Sequence, residues 1–127
     1  MAIKTWNGTL EASNSQGSTT GVNLKAGSKI TVVSSGFGCY KVGSWYGSSG
    51  KYKATASGTP APDEPVGAII LQVGDFVMSI GGGLMDFPIP SPGGELKFRY
   101  NDRDGFFDDN DGSFDVKMRY DDTDVHA

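Results

Sequence analysis

The chain has one cysteine, Cys39, so no internal disulfide can brace it. Its one histidine, His126, stands next to the last residue, which leaves no histidine cluster for a metal and no serine–histidine–aspartate arrangement. No apolar run approaches the roughly 20 residues of a membrane span; the longest is Ala68–Leu71. The opening stretch, MAIKTWNGTLEASN, lacks the apolar segment of a secretory signal. These absences predict synthesis in a reducing cytoplasm without membrane insertion, and leave later release by another route open. A capped helical period is also missing. Gly81-Gly82-Gly83 has no following lysine, so it reads as a turn and not a phosphate loop.

What the chain does have is glycine, 19 in 127 residues, the composition of a fold with many tight turns. Between the turns lie short alternating segments. Trp6, Leu10 and Ala12 fall on one face of a possible strand, and Ser13–Gly21 reads as a polar loop. Ile30 and Val32 face one way within Lys29–Val33. The run Val66–Val73 reads as a central strand buried on both faces. In Glu95–Tyr100, Leu96, Phe98 and Tyr100 alternate with charged residues, and in Ser113–Tyr120 Phe114, Val116, Met118 and Tyr120 do the same. The pattern predicts a single all-β domain, a small jelly-roll sandwich of two antiparallel sheets. Gly43–Pro65 is a long polar loop, of a length that tends to carry function.

Charge is distributed unevenly. The net charge is −4, with +2 over residues 1–100 and −6 over residues 101–127, where all nine acids are aspartate. That balance argues against nucleic acid as a partner. Six of the aspartates lie in Asn101–Asp115, NDRDGFFDDNDGSFD, between two of the alternating segments. Oxygen donors on glycine turns suit a hard cation such as calcium; the alternative is a loop that is simply solvated. An EF-hand is excluded, because the spacing from Asp102 puts Phe106 and Phe107 where a ligand and a glycine belong, and no late glutamate follows Asp108. Phe106 and Phe107 favour a loop that packs. Asp121, Asp122 and Asp124 read as a solvated terminus. Trp6 reads as core, Trp45 as either core or platform, and Cys39 as a small buried thiol.

Tyr100-Asn101-Asp102, Gly105 and Asp109-Asn110-Asp111-Gly112-Ser113-Phe114 together resemble the signature of the small bacterial calcium-dependent galactophilic lectins of the LecA type. Trp6-Asn7-Gly8, Gly27–Val32, Gly36–Tyr40 and Gly67–Ile70 follow in the same order as that family's shorter motifs. The resemblance implies a calcium ion held by the backbone carbonyls of Tyr40 and Phe106 and the side chains of Asp102, Asp109 and Asn110, with two vicinal sugar hydroxyls completing the shell. It implies sugar contacts at Asp102, Arg103, Phe106, Asp109, Tyr52 and Ser57, a galactose-type glycan as partner, and a homo-oligomer, tetrameric in the family. Two departures stand out. Asp109 replaces an asparagine, which adds a charge at the ion. Ala54 and Ser57 replace the family's sugar-contacting histidine and glutamine, with Tyr46, Tyr52, Lys51 and Lys53 nearby as substitutes. A glycosidase pair made of Asp102 and Asp109 is disfavoured, since the same oxygens are committed to an ion and nothing in the sequence signals burial that would raise one of them.

Overall fold

The computed structural model describes residues 2–40, 45–51, 54–103, 105 and 107–125. Tyr52 and Phe106, both expected at the site, fall outside the described residues, as do Lys53, Asp104 and His126. The strands are β1 (Ile3–Glu11), β2 (Ser18–Leu24), β3 (Lys29–Cys39), β4 (Trp45–Tyr46), β5 (Ile69–Val73), β6 (Phe76–Ser79), β7 (Leu84–Pro88), β8 (Gly94–Tyr100) and β9 (Asp111–Asp121). They form two antiparallel sheets. One has the order β1-β9-β3-β4, with β7 also on β3; the other runs β2-β8-β5-β6.

The alternating segments supply the facing surfaces. Leu96, Phe98 and Tyr100 on β8 and Phe114, Val116 and Met118 on β9 are buried between the sheets with Leu10, Ile30, Val32, Ile69 and Leu71. Burial of one such side chain contributes about 1.5–3 kcal/mol, so these positions fix the register of each strand. β5 is buried on both faces, as its composition predicts. Ile69 and Leu71 face the main core, while Ile70 packs with Ala61 and Ala68 in a second cluster under the middle loop.

Three readings of the sequence need correction. Ser13–Gly21 is not all loop, because β2 begins at Ser18; its buried Thr20 donates through Oγ1 to the Leu96 carbonyl at 2.7 Å, so a polar residue is satisfied inside the sandwich. The buried strand begins at Ile69, not Val66, where Val66-Gly67 still forms a turn. The late acids keep their side chains partly exposed, but they do not all lie beyond the last strand. Asp121 closes β9 and accepts from Thr123 N at 3.0 Å, the Asp124 carbonyl accepts from Lys25 N at 3.1 Å, and Val125 bridges Leu24.

The central strand of the first sheet, β9, pairs with β1 from Ile3↔Asp121 to Glu11↔Ser113, and with β3 from Thr31↔Arg119 to Cys39↔Asp111. The start of β9 therefore lies beside the end of β3. β8 delivers Tyr100 to the same end, and the chain changes sheets between β8 and β9. The topology thus gathers Tyr40, the aspartate loop and the middle loop at one pole of the sandwich.

Candidate functional site

Two of the expected donors, Asp102 and Asn110, are buried at this pole, at 6% and 8% exposure. Asp102 Oδ1 accepts from the Arg103 backbone N–H at 2.7 Å. The Asn110 amide is fixed by donating through Nδ2 to the Ala12 carbonyl at 2.9 Å, beyond the end of β1, and its side chain acts electrostatically on the Asp102 carboxyl. Asp102 Oδ2 and Asn110 Oδ1 accept no hydrogen bond, although both atoms are buried. The hydroxyl of fully buried Tyr100, at the root of the same loop, is likewise without a partner. Such groups are rare inside proteins because each costs about 1–3 kcal/mol.

The electrostatics follow from the burial. Desolvation pushes the Asp102 carboxyl above the usual carboxylate range, and the nearby charge of Asp109 adds to it. The Arg103 N–H, the Asn110 side chain and the Arg103 guanidinium act in the opposite direction and do not prevail. This corrects the expectation that no acid here is raised by burial. The Tyr100 hydroxyl is also raised above its ordinary value, chiefly by burial and then by the Asp102 charge. Asp109 is exposed, and its effect on Asp102 places the two carboxylates close together. Among the described residues no three His, Cys, Asp or Glu side chains converge. The donor set read from the sequence does not require three, since it combines two carboxylates with an amide and two carbonyls.

Tyr40 continues from β3 directly into the pole. Its ring stacks on Tyr46 with centroids 5.8 Å apart, so packing holds the ring. Beneath it lies Gly67, at φ +82°, where an added Cβ would stand 3.2 Å from Tyr40 Cδ1 and 3.3 Å from the Tyr100 hydroxyl. Phe107 is buried in the main core and its carbonyl accepts from Asn110 N at 3.0 Å, which shapes the turn before Asn110.

The two long loops meet here, since the loops of a sandwich cluster at its ends. Asn101 is the latch, a role the sequence did not disclose beyond its place in the Tyr100-Asn101-Asp102 motif. Its amide is fully buried. Oδ1 accepts from Ala61 N at 3.0 Å, and Nδ2 donates toward the carbonyls of Ala61, Glu64 and Pro65 at 3.1, 3.1 and 2.9 Å. Farther along the middle loop, Ser57 is exposed in a turn with Gly58, and an added Cβ at Gly58 would lie 3.5 Å from Arg103 Cγ. The turn that carries Ser57 therefore passes close to the Arg103 side chain. Ala54 is half-buried, its carbonyl taken by Val66 N at 2.7 Å. Of the other candidates, Trp6 is half-buried and stacks on Phe98 at 5.7 Å, Cys39 is buried, and Trp45 is 50% exposed.

A cavity of about 710 Å³ lies at the other pole, among Lys25, Ser28, Lys29, Arg119 and Tyr120; none of the candidate site residues lines it.

Comparison with known proteins places this geometry. The family model described as PA-IL-like protein matches residues 5–123. Lectin A of Photorhabdus laumondii subsp. laumondii is 31% identical over 119 residues, covering 89% of this chain and 89% of the relative. Among solved structures, the EclA N-terminal domain, a PllA-like lectin, superposes with a TM-score of 0.74 at 25% identity, covering 91% of this chain and 96% of that one. The chain belongs to the PA-IL-like family of carbohydrate-binding lectins.

Proposed function

We propose that the protein binds carbohydrate in a calcium-dependent manner, with terminal galactose or a closely related sugar as ligand. The proposed donors are the side chains of Asp102, Asp109 and Asn110 and the carbonyls of Tyr40 and Phe106. One observation carries the reading: two buried oxygens, Asp102 Oδ2 and Asn110 Oδ1, are left without a hydrogen-bond donor at the pole where the loops meet. A buried carboxylate with an acceptor position filled by no protein donor is stabilised by a bound cation. Calcium bound by these oxygens would offer free coordination positions to two vicinal sugar hydroxyls. Arg103, Ser57 and Tyr52 are the proposed contacts to the remaining hydroxyls. Single-site carbohydrate affinity is weak and is multiplied by avidity, so a homo-oligomer is part of the proposal.

The test is calorimetric. Calcium is titrated into metal-stripped protein, then galactose into the loaded protein. Saturable calcium binding with a galactose response is expected, and Asp102→Ala is expected to abolish both. Sugar binding that survives Asp102→Ala would sink the bridging role. A second reading keeps the calcium but not the galactose, because Ala54 and Ser57 stand where the family's sugar contacts are expected. Calcium binding with no galactose response, and silence on a glycan array, would favour that reading.

A further inference from the structure

The indole of Trp45 has no role in the site as described, yet its placement is unusual. Trp45 lies on β4 opposite Cys39 on β3, and Cys39 lies opposite Asp111 on β9, so the three residues form one row across the sheet. Neighbouring strands are about 4.8 Å apart, which puts Trp45 and the β9 backbone about 10 Å from each other. An added Cβ at Gly112 on β9 would nevertheless stand 2.8 Å from Trp45 Cζ3. The side chain must therefore stretch across β3 to β9. Gly112 is at φ +87°, a conformation that L side chains rarely adopt, so the space the indole occupies is kept clear by the backbone itself. The ring shields one side against the sheet, where Cys39 is 3% exposed, and keeps half its surface in water. Two residues earlier on β3, and on the same face by strand alternation, Phe37 is 64% exposed.

Two aromatic rings held open to solvent cost hydration free energy, and a soluble protein rarely keeps such a pair on a bare sheet face without use. Their surroundings are hydrophilic. Ser113, opposite Phe37, and Ser35 and Asp115, opposite each other, frame the rings with hydroxyls and a carboxylate. An apolar plane with a polar rim suits one face of a pyranose ring, whose axial C–H bonds pack on an aromatic plane while its hydroxyls reach the rim. The platform is also continuous with the candidate ion site. Gly112 lies two residues after Asn110, a distance of about 7 Å along an extended chain. That is close to the span of one sugar residue.

Resting on the calcium-lectin reading above, we propose that Trp45, with Phe37 beside it, forms a second subsite that stacks the next sugar residue of a glycan whose terminal residue is held at the aspartate loop. Trp45 is then a specificity residue. It selects among disaccharides by linkage and leaves the terminal monosaccharide unaffected.

The experiment measures calcium, galactose and a panel of α- and β-linked galactose-terminated disaccharides by calorimetry on calcium-loaded wild type, Trp45→Ala and Trp45→Phe. In wild type at least one disaccharide is expected to exceed galactose by about three- to tenfold, the range of an aromatic stacking contact. Trp45→Ala is expected to bring that disaccharide down to the galactose level, with galactose and calcium affinities unchanged; Trp45→Phe keeps part of the gain and serves if the alanine variant fails to fold. Tryptophan emission gives a second readout, shifting with the disaccharide in wild type and not in Trp45→Ala. Equal disaccharide affinities in wild type and Trp45→Ala, or a parallel loss of galactose affinity, would overturn the subsite. Wild-type protein that binds calcium but no galactose would instead refute the parent reading, and the subsite with it.

Discussion

Replacement of Asn101 by alanine separates the latch from the ion site, and its cost can be worked out bond by bond. The amide nitrogen has two hydrogens and faces three carbonyl oxygens, those of Ala61, Glu64 and Pro65, so it makes two full bonds or their shared equivalent. Oδ1 adds a third by accepting from Ala61 N. Three neutral hydrogen bonds contribute about 0.5–1.5 kcal/mol each. Glu64 and Pro65 are half-exposed, so their carbonyls regain water when the amide is lost. Ala61 is 1% exposed, and its N–H and C=O cannot do so without the loop coming away. The expected destabilisation is about 2–4 kcal/mol, a large share of the roughly 5–15 kcal/mol that holds such a domain together. Urea unfolding monitored by tryptophan emission measures it. Asn101→Asp should be no milder at neutral pH, because it sets a carboxylate against three carbonyls. Calcium affinity is expected to stay within a few-fold of wild type, since the backbone bonds of Asn101 to Ala68 and Gly67 remain, while sugar affinity falls further as residues 54–65 loosen. A loss below about 1 kcal/mol for Asn101→Ala, with sugar binding intact, would refute the latch.

Further outcomes follow from the same geometry. Gly67→Ala forces an L side chain to φ +82° and crowds Tyr40 and Tyr100, so a loss of about 1–2 kcal/mol in stability and a weaker calcium response are expected by thermal melting and calorimetry; wild-type values for both would contradict the packing. In metal-free protein, the raised Asp102 carboxyl binds its proton more tightly folded than unfolded, so stability should fall as pH rises from about 4, the unfolded carboxylate value, through the raised folded value. Melting temperatures flat or rising across that window would count against the burial. With calcium the sign reverses: protons compete for the same oxygen, and affinity should drop about tenfold per pH unit once pH falls below the folded value, earlier than an ordinary aspartate would allow. Sedimentation should give the mass of an assembly, and a monomer at every concentration would undercut the avidity argument.

Much of this molecule is legible in its sequence wherever one residue type carries one consequence. The alternation in Glu95–Tyr100 and Ser113–Tyr120 identifies β8 and β9 and their buried faces, because only one face of each can avoid water. The aspartate loop is legible for a similar reason, since so many acids between strands demand an explanation. What remained hidden depends on long-range partners. Thr20 reads as loop until the Leu96 carbonyl is found opposite its hydroxyl. β6 and β7 are too short for alternation to register. The acids of the terminus read as solvated because no local pattern reveals that Asp121 caps a turn and that the chain after it pairs with β2. Asn101 looks like one more oxygen donor in an acidic stretch, and only the arrival of Ala61, Glu64 and Pro65 around its amide turns it into a latch. Burial of Asp102 was missed for the same cause, since it is the crossing of the loop between the sheets that removes the water.

The division of labour between Asn101 and Asp102 shows how one pole can hold a fixed site and a variable one. Consecutive residues after a strand point in opposite directions. Asn101 turns its side chain toward the middle loop, whose carbonyls it gathers, and Asp102 turns toward Asn110. The first interaction uses backbone atoms of its partners, so the side chains of residues 54–65 are free to change without loosening the loop. The second uses specific side-chain oxygens and tolerates little change. Changes at Ala54 and Ser57 should therefore keep the loop in place and leave the buried oxygens undisturbed. On this argument the contacts that would set the proposed sugar preference lie in the middle loop and on Trp45, not among the aspartates on which the proposed ion site depends.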